Sequence, residues 1–128
     1  MQVEQGARGE ARLVVQEGDT ALALGSGDVP VLGTPRLIAL CESATIAALT
    51  GCCGAAETTV GMRVQVDHMQ PTRVGIEVVA EAVLEKIEGR RLTFTVSASD
   101  PAGLVAAGKV VRVIVERERF LDKAGVAL

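Results

Sequence analysis

The order of the predicted elements is the feature that most constrains the fold of this chain: one helix-patterned segment is followed by four strand-patterned segments. Residues 34–49, TPRLIALCESATIAAL, are almost entirely small or aliphatic. Thr34 is a good N-cap residue, and Pro35 suits the first turn of a helix. We expect the helix to run to about Leu49, where the Thr-Gly pair that follows ends it.

The four strand-patterned segments are TTVGMRVQVDHM, VGIEVVAEAVLEKI, RRLTFTVSASD and LVAAGKVVRVIVERERF. The first three alternate apolar with polar residues, which predicts strands with one buried face. The last is nearly continuous in Val and Ile, as is typical of a strand buried on both faces. Turn signals at Glu88-Gly89 and at residues 100–103 separate the last three. In the first segment, the alternation places these residues on one face: Val60, Met62, Val64, Val66 and His68.

A further strand-patterned segment, residues 11–24, precedes the helix and contains a turn signal at Gly18-Asp19. A glycine-rich loop, GSGDVPVLG, joins it to the helix. One strand, one long helix and four antiparallel strands predict a single α+β domain over residues 1–128, with a curved sheet wrapped against the helix. A split ferredoxin-like domain would need a second helix, which the sequence pattern does not show.

Composition argues against several classes of function. Apolar residues make up 48% of the chain and aromatic residues 2%, so we expect a core of Val, Leu, Ile and Ala. No uninterrupted apolar run reaches the roughly 18 residues that a membrane span needs. The net charge is −3 and the basic residues are scattered, which argues against nucleic-acid binding.

The N-terminus and the cysteines bear on compartment and on metal binding. The start, MQVEQGARGEAR, is polar and unlike a signal peptide, and the three cysteines are an odd number. Both features predict reduced thiols in the cytoplasm. Cys52 and Cys53 are adjacent, which fits no zinc-ligand spacing, and the chain has one histidine. We therefore expect no metal site.

Glu42 is the single acidic residue of the predicted helix. On a helical wheel it falls inside a broad apolar arc, between Leu49 and Ile46. A carboxylate buried there without a partner is costly to ionise, and such groups are candidate bases or nucleophiles. Alternatively, Glu42 lies at the edge of the arc, where it reaches water or pairs with an arginine.

His68 and Thr34 each have two interpretations. His68 ends a predicted strand, where it is either a hydrogen-bonded structural residue or the partner of an acid in proton transfer. Thr34 is either only the helix N-cap, or a functional residue at a helix N-terminus whose free N–H groups stabilise anions.

Together these residues resemble the hotdog-fold thioesterases, and among them the fluoroacetyl-CoA thioesterase family. The matching stretches are TPRLIALCE, TTVGMRVQVDHMQPTRVG, EGRRLTFTVSASD and KVVRVIVERERF, which cover most of residues 30–121. The resemblance implies a hotdog fold with one central helix, acyl-CoA thioester chemistry without a metal or cofactor, and pairing of two protomers. The expected partners are an acyl-CoA substrate and a second copy, as a homodimer or a dimer of dimers, with no nucleic acid and no membrane.

The resemblance also assigns the site residues. It makes Thr34, Glu42 and His68 catalytic, and it makes Gly61 substrate-binding because a side chain there would crowd the acyl group. Arg112 takes the place of a family arginine near the site, or else forms a salt bridge at the sheet edge. In one departure, the segment ALALGSGDVPVLG lacks the aromatic gate that the family uses to select fluorine, so we do not expect that selectivity here.

The function expected from these residues is hydrolysis of a short acyl-CoA to the free acid and CoA. Glu42 would attack the carbonyl or activate a water, Thr34 and backbone N–H groups would stabilise the oxyanion, and His68 would move protons. Two alternatives stay open: a hotdog hydratase or dehydratase, and a non-catalytic module that binds acyl-CoA or another small ligand.

Overall fold

The structure, a computed structural model, describes residues 2–127. Within them the β-strands form one antiparallel sheet in the order β1-β3-β4-β5-β2, and the long helix packs mainly over β1 and β3. The elements are β1 (Arg8–Val14), α1 (Ala21–Leu24), α2 (Thr34–Ala48), β2 (Glu57–His68), β3 (Glu77–Glu88), β4 (Arg91–Asp100), β5 (Gly103–Glu116) and α3 (Arg117–Lys123). The predicted α+β class, with one long helix against an antiparallel sheet, is confirmed. None of the helices in this range is long and apolar enough to cross a bilayer.

The helix α2 and the inner face of the sheet form the core. As the alternation predicts, β3 and β4 each bury every second residue, and Phe94 is the largest side chain in this layer. Burying a large aliphatic or aromatic side chain contributes about 1.5–3 kcal/mol each. The buried side chains of α2 are Leu37, Leu40, Cys41, Ala44, Thr45 and Ala48.

Gly9 on β1 sets how closely α2 approaches the sheet. A Cβ atom at this position would collide with the carbonyl oxygen of Ala44 and the backbone nitrogen of Ala48. Because both obstacles are backbone atoms of a helix, no rotamer change can relieve the contact. The strand can therefore lie directly against the helix only with glycine here.

The first predicted strand was too long. β1 ends at Val14, and after a 3₁₀ turn residues 21–24 form the short helix α1 instead of a strand. Asp19 accepts a hydrogen bond from the Gln16 backbone N–H at 2.8 Å. Thr20 then caps α1 by accepting from the Ala23 N–H at 3.1 Å. These side-chain bonds to the backbone favour turns and helix starts over strands.

The last predicted strand was also too long. β5 ends at Glu116, and Arg117–Lys123 forms α3. The RERFLDK segment is rich in Arg, Glu, Leu and Lys, which are good helix formers. The middle of β5 matches the prediction of a strand buried on both faces, because residues 110–112 are consecutively buried.

A β-bulge divides β2 into two halves with opposite side-chain alternation. Gly61 pairs with Arg112 and Arg63 pairs with Val111, so Met62 is the extra residue. A Cβ at Gly61 would point at α2, whereas Met62 is 43% exposed. The single face predicted for this strand was therefore wrong before the bulge, because one inserted residue reverses the alternation. After the bulge, Val64 and Val66 pack on the core as predicted.

Candidate active site

Thr34 and His68 are joined at the N-terminus of α2. The N-cap of this helix is Gly33, which has no side chain to cap it, and Thr34 is the first helical residue. The predicted N-cap role of Thr34 was therefore wrong by one position. Its hydroxyl is instead free to bond outside the helix, and Oγ1 lies 2.8 Å from Nδ1 of His68.

Contacts around Asp19 place this helix start. The Gly33 N–H donates to the Asp19 carbonyl at 2.9 Å. Arg36 donates from Nε to Oδ1 of Asp19 at 3.2 Å. A Cβ on Gly33 would meet the backbone nitrogen of Ala21 at 3.0 Å. These contacts hold the N-terminus of α2 against the start of α1.

His68 is half-buried at the end of β2, and its other ring nitrogen is available for chemistry. Nε2 is buried and has no hydrogen-bond partner among residues 2–127. If Nδ1 carries the proton, Nε2 presents a lone pair; in the other tautomer it presents an N–H. Leaving such a group unpaired costs about 1–3 kcal/mol, a cost that proteins carry more often at functional sites.

A cavity of about 370 Å³ opens beside this pair. The glycine-rich loop after α1 forms one wall, and residues 69–71 after β2 form another. No Phe, Tyr or Trp side chain occurs among its described lining residues, which agrees with their absence from the loop sequence. Its lining consists of Ala21, Ser26, Gly27, Asp28, Val29, Val31, Leu32, Thr34, His68, Met69, Gln70 and Pro71.

Glu42 and Arg112 form a second pair, farther along α2. Arg112 Nη1 lies 3.6 Å from Oε2 of Glu42, and the side chains are 7% and 33% exposed respectively. Burial lowers the pKa of the Arg112 guanidinium, and the Glu42 carboxylate opposes that shift. Glu42 is thus less buried than the helical wheel suggested, and it pairs with an arginine, as the alternative had it. Arg112 is in a salt bridge, but on the inner strand β5 and not at the sheet edge.

Gly61 leaves room for the Glu42 carboxylate. A Cβ at Gly61 would lie 2.5 Å from Oε2 of Glu42 and 3.8 Å from Nη1 of Arg112. The group that a side chain here would first displace is therefore the carboxylate of the candidate catalytic acid. Three of the five sequence-predicted site residues, Gly61, Arg112 and Glu42, meet at this point.

The Thr34–His68 pair and the Glu42–Arg112 pair are not in contact with each other. Glu42 follows Thr34 by eight residues, which is about 12 Å along a helix axis. Within residues 2–127, no hydrogen bond or ion pair joins Glu42 to Thr34 or to His68. Strand β2 contributes a residue to each pair's surroundings, because Gly61 lies beside Glu42 and His68 lies beside Thr34.

Sequence analysis missed one residue of this arrangement, Thr59. Its hydroxyl and its carbonyl both accept hydrogen bonds from Arg112, at 2.9 Å and 3.0 Å. The available signal was its position, two residues before Gly61 and therefore on the same side of the strand. The described residues contain no group of three or more His, Cys, Asp or Glu side chains arranged to hold a metal ion.

The fold has close counterparts among known proteins. A hot-dog-like protein from Thermanaerovibrio acidaminovorans matches the fold with a TM-score of 0.85 at 22% identity, over 94% of this chain and 89% of that chain. A solved structure of the fluoroacetyl-CoA thioesterase FlK matches with a TM-score of 0.90 at 28% identity, over 97% of this chain and 96% of that chain. Variants of that enzyme have been solved with acetyl-CoA, and with fluoroacetate and CoA. The predicted hotdog fold is confirmed.

Sequence comparison identifies the family. The sequence profile of the fluoroacetyl-CoA-specific thioesterase family matches residues 15–118 of this chain. The fluoroacetyl-CoA thioesterase of Streptantibioticus cattleyicolor is 31% identical over 93 residues, which span 73% of this chain and 67% of that protein. The chain belongs to the fluoroacetyl-CoA-specific thioesterase family.

Proposed function

We propose that this protein hydrolyses the thioester of a short acyl-CoA, releasing the free acid and CoA. One observation carries the proposal: the Thr34–His68 hydrogen bond at the start of α2, beside a cavity and with Nε2 of His68 unpaired. Family membership supports it, since the related enzyme acts on fluoroacetyl-CoA. The free thiols of the three cysteines suit a reducing compartment such as the cytoplasm.

In this mechanism the thioester carbonyl lies along β2, between the Thr34–His68 pair and the Glu42–Arg112 pair. Glu42 attacks the carbonyl carbon, or takes a proton from a water that attacks it. The carbon–sulfur bond then breaks, and His68 supplies the proton that the CoA thiolate takes up. In the first route, water afterwards cleaves the acyl-Glu42 anhydride.

Thr34 stabilises the negative charge that develops on the carbonyl oxygen. As the first residue of a 15-residue helix, it offers a backbone N–H without an intrahelical acceptor, in addition to its hydroxyl. A well-placed donor of this kind contributes roughly 3–4 kcal/mol to transition-state stability. Arg112 keeps a positive charge beside Glu42, because guanidinium stays protonated at neutral pH.

We propose that the active form is at least a homodimer, paired through β2. This 12-residue strand lies at the end of the sheet, and among the strands of residues 2–127 it pairs with β5 alone. A long edge strand exposes unpaired N–H and C=O groups, which a second copy can satisfy. Light scattering should give at least twice the chain mass of 13.3 kDa; a monomer at micromolar concentration would contradict this.

A panel of substrates tests the function. Purified protein is incubated with acetyl-CoA, fluoroacetyl-CoA, longer acyl-CoAs and an unsaturated acyl-CoA, and free CoA is quantified by chromatography. Thioester hydrolysis releases CoA and acid in equal amounts. Hydration of the unsaturated thioester without CoA release would indicate a hydratase, and binding without either product would indicate a non-catalytic module.

A further inference from the structure

Thr59 holds the buried arginine of the site at two points. Arg112 donates from Nε to Oγ1 of Thr59 at 2.9 Å, and from Nη2 to the Thr59 carbonyl at 3.0 Å. The two residues are diagonal neighbours across the β2–β5 pair, because the direct partner of Arg112 is Gly61. Diagonal neighbours are within reach of a long side chain.

These two bonds determine where the third nitrogen of the guanidinium points. The group is rigid and planar, so fixing Nε and Nη2 also fixes Nη1. Nη1 then faces Oε2 of Glu42 at 3.6 Å, which is longer than a hydrogen bond. The orientation of the arginine therefore comes from Thr59 more than from Glu42.

We propose that Thr59 is a positioning residue for the thioesterase reaction. It holds Arg112 so that the guanidinium charge stays directed at the Glu42 carboxylate, over the space that Gly61 leaves open. Thr59 acts through Arg112 and does not touch the reacting atoms. This inference rests on the proposed function for its kinetic consequence, but the geometry of Arg112 can be tested without it.

The kinetic test replaces the threonine hydroxyl. Thr59→Val has nearly the same shape but cannot accept the Nε–H, whereas Thr59→Ser can. We expect Thr59→Val to lower kcat about tenfold with KM changed less than about threefold, since one charged hydrogen bond is lost. Thr59→Ser should stay within about threefold of wild type, because it restores the acceptor.

Thr58→Val is the matched control, because it changes the same residue type on the opposite face of the same strand. It should leave kcat within about twofold of wild type. Circular dichroism and thermal melts establish that each variant is folded, and Thr59→Ala takes the place of Thr59→Val if the latter does not fold. An unchanged kcat in a folded variant without the hydroxyl, or an equal loss in Thr59→Ser, would overturn the proposal.

The second measurement is independent of activity. The Arg112 Nε–H should give a slowly exchanging ¹⁵N resonance, since it is buried and bonded to Oγ1 of Thr59. This resonance should shift and exchange faster in Thr59→Val, but not in Thr58→Val. If the wild type hydrolyses no thioester, the proposed function fails while this readout still tests the positioning. An unaltered resonance in Thr59→Val would refute the positioning role itself.

Discussion

The Thr34 hydroxyl lies 2.8 Å from Nδ1 of His68, although 34 residues separate them in the chain. With Thr34 as the N-cap, α2 would start at Pro35. Instead Gly33 is the N-cap and Thr34 is the first helical residue, which makes this bond possible. A threonine engaged in capping would turn its oxygen back toward its own helix. Placed at the first helical position, it instead orients the histidine at the end of β2.

Removing this hydroxyl should impair turnover more than stability. We expect Thr34→Val to lower kcat/KM by at least about tenfold, because His68 loses the group that orients its ring, while Thr34→Ser retains most activity.

His68→Ala should lower kcat/KM by about 10²–10⁴-fold, the usual range for a general acid or base. An unchanged kcat/KM in a folded His68→Ala protein would make His68 a structural residue.

Glu42→Gln tests the central carboxylate. The amide has nearly the same shape but is neither nucleophilic nor basic, so kcat/KM should fall by about 10²–10⁴-fold. The exposed Glu81→Gln serves as the control and should leave the rate unchanged. Thioester hydrolysis at the wild-type rate by Glu42→Gln would contradict the proposed mechanism.

Gly9 and Gly61 should respond to alanine in opposite ways. At Gly9 the new Cβ would collide with the backbone of α2, so Gly9→Ala should lower the free energy of unfolding by about 1–3 kcal/mol. At Gly61 it would meet the end of the Glu42 side chain, which can rotate away. Gly61→Ala should therefore fold with near-normal stability but lose most of its kcat, as measured by urea unfolding and CoA release. Gly18→Ala is the control, because nothing lies within 4 Å of its Cβ position.

Cys41 should make the fold sensitive to alkali. Burial, and then the Glu42 charge, raise the pKa of its thiol from 9.0 to about 11. The folded state therefore keeps a proton that the unfolded chain releases, so stability is fully present below pH 9 and is lost as pH rises toward 11. The loss amounts to about 2–3 kcal/mol. Urea unfolding at pH 8 and pH 10 should show about half of this loss, because pH 10 lies midway between the two pKa values. Cys41→Ala should show a smaller difference between the two pH values.

The sequence predicted most of the architecture, because strong periodicity and turn residues mark α2, β3, β4 and the middle of β5. It did not show the bulge at Met62, which depends on how β2 registers against β5. Nor did hydrophobic periodicity separate α1 and α3 from the neighbouring strands, since both helices are short: α1 depends on its Thr20 cap, and α3 directly continues the chain from β5. The pairing of Glu42 with Arg112 was likewise only one of two options, because it depends on the distance between α2 and β5.

We expect substrate selectivity to depend on the walls of the cavity beside His68. Large rigid aromatic side chains suit a gate that excludes water or shapes the pocket around the acyl terminus. Here the loop wall contributes Ser26, Gly27, Asp28 and Val29 instead. One fluorine or methylene in such an open pocket is worth about 1–3 kcal/mol of discrimination.

We therefore expect only a modest preference for fluoroacetyl-CoA over acetyl-CoA. Some of it is intrinsic, because fluorine makes the thioester carbonyl more electrophilic. The measurement is the ratio of kcat/KM for the two thioesters under identical conditions. A ratio far above about 200-fold, the upper end of what such a pocket provides, would mean that another part of the protein forms a gate. Introducing an aromatic side chain into the wall, as Val29→Phe, should raise the ratio from its modest starting value, because a large rigid side chain shapes the pocket around the acyl terminus. An unchanged ratio in a folded Val29→Phe protein would show that this loop does not contact the acyl group.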